Sequence, residues 1–159
     1  MTVILDKSKK YLIKFANGTY FSGHYAEHSG VQDFKDAFQF IDEIDVNTTL
    51  DFINNRPHKQ KNAKATVVVL TIFCAKKTEQ MYYPFNIAKA VDNFHVVAYS
   101  LNQKLIFISD NLSLDLNILN AKRCSAKESE SLALQSNQKV GDLLYYPYEV
   151  AILMEEVNE

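Results

Sequence analysis

The sequence predicts an α+β fold: two similar β-β-α-β modules in tandem, with antiparallel sheets related by a pseudo-twofold axis. Three observations point there. Short β-rich runs broken by turn residues mark hairpins. A segment of helical period follows each hairpin. A shift of 84 residues then lays like on like: Leu12-Ile13 falls on Val96-Val97, Phe15 on Tyr99, Phe34 on Ile118, Ala37 on Ala121, Leu50 on Leu134, and Val67–Leu70 on Ala151–Met154. The expected modules are residues 1–85 and 94–159, with a connector over 86–93.

The elements follow in order. Residues 11–16 and 19–25 read as strands around Asn17-Gly18, a pair that accepts the positive φ of a tight turn. Phe34, Ala37, Phe38 and Ile41 lie at i, i+3, i+4 and i+7, which predicts a helix over 33–41 with those residues on one face. A further helical turn or two is expected in 45–55, capped by Asp45 or Asn47. Residues 56–64 form a basic loop. ATVVVLTIF (65–73) is β-branched and nearly all apolar, the pattern of a central strand. MYYPF (81–85) reads as an edge strand, because Pro84 cannot donate to a ladder. In the second half, 95–100 and 104–109 form a hairpin around Leu101-Asn102-Gln103. Residues 114–137 carry the helical segment, and 141–156 close with strands.

Composition limits the chemistry. Of 159 residues, 47% are apolar and 23% charged, the balance of a folded domain. A net charge of -2 gives no global field for nucleic acid or anionic lipid. Arg56 and Arg123 are the only arginines, although arginine is favoured for bidentate reading of guanine and phosphate. Cys74 and Cys124 are the only cysteines, and their number suits free buried thiols in a reducing cytosol better than a disulfide scaffold. The N-terminal MTVILDKSKK lacks a signal-peptide core, and the longest apolar run is about half a membrane span. A cytoplasmic location is therefore expected, with no membrane partner.

No catalytic signature stands out. HYAEH (His24–His28) matches H-x-x-E-H, in which two histidines on one helix face bind zinc and the glutamate acts as base. It follows a strand and runs into Ser29-Gly30, so two exposed loop histidines are preferred over a zinc hydrolase at His24, Glu27 and His28. Cys74 with His95, or Cys124 with a histidine, could be written as nucleophile and base; buried core thiols are the better reading. With four glycines and no phosphate-loop motif, a nucleotide cradle is not expected, and no cofactor is implied.

Binding features are more prominent. Residues 33–51 hold six acids against one lysine, and Asp42, Glu43 and Asp45 are the candidate contacts for a basic protein groove. Tyr82, Tyr83, Tyr145 and Tyr146 sit in two Pro-containing strands where one tyrosine of each pair must face away from the core, and Tyr is a frequent hot-spot residue. The alternative is nucleic-acid binding through Arg56, Lys59, Lys61 and Lys64, a basic loop without interleaved aromatics.

YLIKFANGTYFSG, followed by DAFQFI and ATVVVLTI, resembles short uncharacterised accessory proteins of phages and prophages of low-GC Gram-positive bacteria. The likeness covers residues 1–73. The second module departs from it, with Leu101-Asn102-Gln103 for Asn-Gly and Cys124 where the helix aromatic would be. The resemblance implies a small non-enzymatic protein that binds and blocks a host machine. An anti-CRISPR-type inhibitor of a host defence protein in the cytoplasm of a bacterial cell, with a CRISPR effector as one such partner, is its most concrete form, with oligomeric state left open.

Overall fold

The computed structural model describes residues 4–24, 30–55, 64–76 and 90–157. They form a mixed α+β fold. Six antiparallel strands, β1 (Ile4–Lys14), β2 (Thr66–Lys76), β3 (Asp92–Leu101), β4 (Lys104–Ile108), β5 (Leu114–Asp115) and β6 (Tyr146–Val157), run in the order β1-β2-β6-β3-β4-β5. Two helices accompany them, α1 (Glu43–Asn54) and α2 (Ala126–Val140). The expected central strand is β2, flanked on both sides as its apolar run requires.

The chain divides into two compact units, Ser8–Thr71 with Leu153–Glu159, and Ile72–Ile152 with Met1–Lys7. In the first, β1 turns at Asn17-Gly18, where Gly18 takes φ +89°. The Phe15 N–H donates to Thr19 O and the Phe21 N–H to Ile13 O. The returning segment is shorter than the expected strand over 19–25: Tyr20 bridges Lys14 on one side and Val31 on the other.

The helix expected over 33–41 is a single 3-10 turn, Phe34–Asp36, capped by Asp33. Ala37 is already extended, and Phe40 exchanges both backbone hydrogen bonds with Tyr11 (2.7 and 2.8 Å). Pairing with β1 therefore overrides the helical period, and Phe38 and Ile41 are exposed. The helix proper starts later. Asp42, rather than Asp45 or Asn47, is its N-cap, accepting from the Ile44 N–H at 2.7 Å. Val46 and Ile53 of α1 bury against Ile13, Phe15, Phe21, Phe40, Ala65 and Val67. Each such side chain contributes roughly 1.5–3 kcal/mol. Asn54 ends the helix by clasping the next strand: its amide donates to Ala65 O (3.1 Å) and its carbonyl accepts from the Ala65 N–H (2.9 Å).

In the second unit, β3 and β4 pair from Ala98↔Phe107 to Leu101↔Lys104, leaving Asn102-Gln103 as a two-residue turn with φ 52° and 67°. Both positive φ values are what a type I′ hairpin demands. Residues 114–137 are not one helix. They hold β5, a 3-10 turn (Ile118–Asn120) capped by Asn117, a backbone bridge between His95 and Cys124, and then α2. Ser125 and Glu128 close a capping box, and Gly141 ends α2 at φ +74°. Ala133 packs on Val97 and Ile108, with Leu132 and Tyr145 against them. Asn137 clasps the following strand, its amide donating to Tyr145 O (2.9 Å) and its carbonyl accepting from the Tyr145 N–H (2.6 Å).

Candidate functional site

The acids singled out in the sequence open α1. Asp42, Glu43 and Asp45 are all exposed. Asp42 is committed to its cap. Glu43 accepts from the Tyr11 hydroxyl at 3.3 Å, and burial together with this carboxylate raises the Tyr11 pKa.

Large apolar side chains stand among these acids: Ile41 is 77% exposed, Ile44 74%, Phe52 59% and Phe38 46%. The Phe38 ring rests on Phe40 (4.8 Å between centroids) and Phe21 (5.7 Å), so its position is fixed from beneath. On a helix of 3.6 residues per turn, Ile44, Thr48 and Phe52 form one outward line. Asp45 falls to one side of that line, and Asp51 and Glu43 to the other. The inward line is Val46, Leu50 and Ile53. The helix thus has an apolar seam on both faces, and its outer seam is rimmed by carboxylates. The acids were legible in the sequence; the apolar half of the site was missed. Its signal was available, since Ile44 and Phe52 fall opposite Val46 and Ile53 once α1 is placed at 43–54.

The tyrosines divide. Tyr82 and Tyr83 lie outside the described residues. Tyr145 is half-buried, edge-on to Tyr99 at 5.3 Å, and burial raises its pKa. Tyr146 is half-buried with the Lys76 ammonium 3.5 Å from its ring centroid, and Tyr148 is buried. Lys64 is exposed, whereas Arg56, Lys59 and Lys61 lie outside the described residues, as do Glu27 and His28; His24 is exposed. Arg123 pairs with Asp92 and stacks on Phe94 at 3.6 Å, an internal tie.

Both cysteines are buried. His95 pairs with Cys124 through the backbone and lies opposite Glu149 in β6. The Cys124 sulfur sits 3.6 Å from Lys122 O, and burial pushes its pKa up, which disfavours the thiolate a nucleophile needs. Among the described residues, no group of three or more His, Cys, Asp or Glu could hold a metal ion, and no helix is long and apolar enough to cross a membrane.

Comparison with known protein families, curated proteins and solved structures finds no match.

Proposed function

We propose that this chain is a non-enzymatic protein-binding module that docks a basic partner through the surface Phe38, Ile41, Asp42, Glu43, Ile44, Asp45 and Phe52. The observation that carries this reading is the set of large apolar side chains left exposed among carboxylates. Scattered exposed apolar residues are ordinary, but Ile44 and Phe52 on one helix line between carboxylates, with Ile41 exposed just before the cap, suit a binding surface. The resemblance of residues 1–73 to phage accessory proteins makes a host defence protein, such as a CRISPR effector, the partner class to try first, with inhibition as the outcome of docking.

The same reading takes the fold as a duplicated module. Its support is a series of paired features, each internal to one unit. The bridge Tyr11–Phe40 is matched by His95–Cys124. The capped turn Asp33/Phe34–Asp36/Ala37 is matched by Asn117/Ile118–Asn120/Ala121. The Phe38 N–H donates to Phe21 O, and the Lys122 N–H to Ile108 O, both at 2.8 Å. Asn54 clasps Ala65, and Asn137 clasps Tyr145. The offset of 84 residues holds through the bridges. It falls by one along the helices, which sets buried Val46 against buried Ser129 and Leu50 against Ala133. It falls by three more at the following strand.

The test is capture of the tagged chain's partner from lysate of a low-GC Gram-positive host, with and without nuclease, followed by an affinity measurement on the captured protein. In the test variant Asp42→Ser keeps a capping oxygen, while Glu43→Gln and Asp45→Asn remove charge. The expected result is a nuclease-resistant partner whose affinity drops about tenfold in that variant at low salt. Unchanged affinity removes this face from the account, and binding lost with nuclease would favour the basic loop around Lys64.

A further inference from the structure

The two helices provide an internal control on the α1 surface. With the units aligned on their caps and clasping asparagines, the outward line of α2 that corresponds to Ile44, Thr48 and Phe52 is Lys127, Ser131 and Gln135, all exposed. Phe38 corresponds to Lys122 by its hydrogen bond. Ile41 has no counterpart, because one residue separates Phe40 from the cap Asp42 whereas Cys124 is followed directly by the cap Ser125. The architecture thus accepts polar side chains along this line. By this comparison Ile44 and Phe52 are not needed to make the module, and the inserted residue, Ile41, is itself one of the exposed apolar ones.

The shape of the surface narrows its occupant. Exposed Ile41 precedes the cap Asp42, and Ile44, Thr48 and Phe52 are spaced by four residues, a narrow line advancing about one turn at a time along α1. Carboxylates stand on both sides of it. Such a seam is complementary to a second helix with a narrow apolar stripe flanked on both sides by lysine or arginine, as flanking charges set the choice of partner between paired helices. Nucleic acid and anionic lipid are repelled by the same carboxylates.

Resting on the docking function proposed above, we infer that the partner presents a cationic amphipathic helix, and that it is bound by α1 alone and not by α2. The experiment titrates the full chain with three synthetic helical peptides: a Lys/Leu amphipathic peptide, the same peptide with Glu for Lys, and the same peptide with Ser for Leu. Saturable binding of the Lys/Leu peptide alone is expected, with amide shift changes confined to 38–52. Ile44→Lys with Phe52→Gln, the residues α2 carries, should weaken it about tenfold or more. Leu134→Ser, on the exposed side of α2, should leave it within about twofold. Both variants are checked for an unchanged amide spectrum elsewhere. Failure of the Lys/Leu peptide to saturate, equal binding of the Glu/Leu peptide, or retention of affinity in the α1 variant overturns the inference. If the captured host protein still loses affinity on neutralising Asp42, Glu43 and Asp45, the docking face stands and only the cationic helix is wrong.

Discussion

At the scale of single residues, two asparagines do work that their local sequence does not announce. Asn54 and Asn137 each stand at or near the end of a helix and satisfy both backbone groups of a residue entering the next strand. Alanine at either position leaves half-buried peptide groups without those partners, which costs about 1–3 kcal/mol. Urea unfolding of Asn54→Ala and Asn137→Ala should show losses of that order in both; a loss in only one would separate their roles. Tyr148 offers a different test. Burial in β6 pushes its hydroxyl up to about 12. Because the folded value lies above the ordinary value near 10, the neutral phenol contributes stability that is complete below pH about 10 and is lost as pH rises through about 12. Wild type should lose stability across that window and Tyr148→Phe should lose less. Coincident pH profiles would contradict the assignment. Glu128 titrates in the opposite sense: hydrogen bonds from Ser125 lower its pKa, so its capping box weakens only as pH falls below the ordinary glutamate range.

At the scale of elements, the proposed docking role has α1 separate folding from binding by face. Its inner line is core and its outer line is surface. Ile53→Ala should cost about 2–5 kcal/mol by opening a cavity among Ile13, Phe15 and Val67. Ile44→Lys and Phe52→Gln should each change stability by less than about 1 kcal/mol. Thermal or urea unfolding of the three variants checks the division, and a large loss from Ile44→Lys would mean that the outer seam is structural. Elements also show why part of the fold was legible in the sequence. β2 announced itself because eleven residues with almost no charge have no other stable place. The β3–β4 hairpin was legible from its flanking β-branched runs. The segment 33–41 was not, since its helical spacing of Phe34, Ala37, Phe38 and Ile41 arose in a chain that is extended at Ala37 and paired at Phe40. That pairing depends on Tyr11, far away in sequence, which a local period does not register. The same helical spacing hid the exposure of Phe38 and Ile41, because it draws them onto one face with Phe34 and Ala37.

At the scale of the whole molecule, charge is not distributed to serve one function everywhere. The Ser8–Thr71 unit gathers exposed Asp36, Asp42, Glu43, Asp45 and Asp51 around apolar side chains, while the matching line of α2 carries Lys127, Ser131 and Gln135. A net charge of -2 conceals this local arrangement. On the proposed duplication, two units that differ in their outward side chains fit a division of labour, with one binding and the other supporting. The measurement that tests this most directly is hydrogen exchange of the chain alone and in complex with its captured host protein. Binding through α1 predicts slowed exchange confined to residues 38–52, with 122–135 unchanged. Protection over 122–135, or elsewhere in the chain while 38–52 exchanges as before, would contradict it.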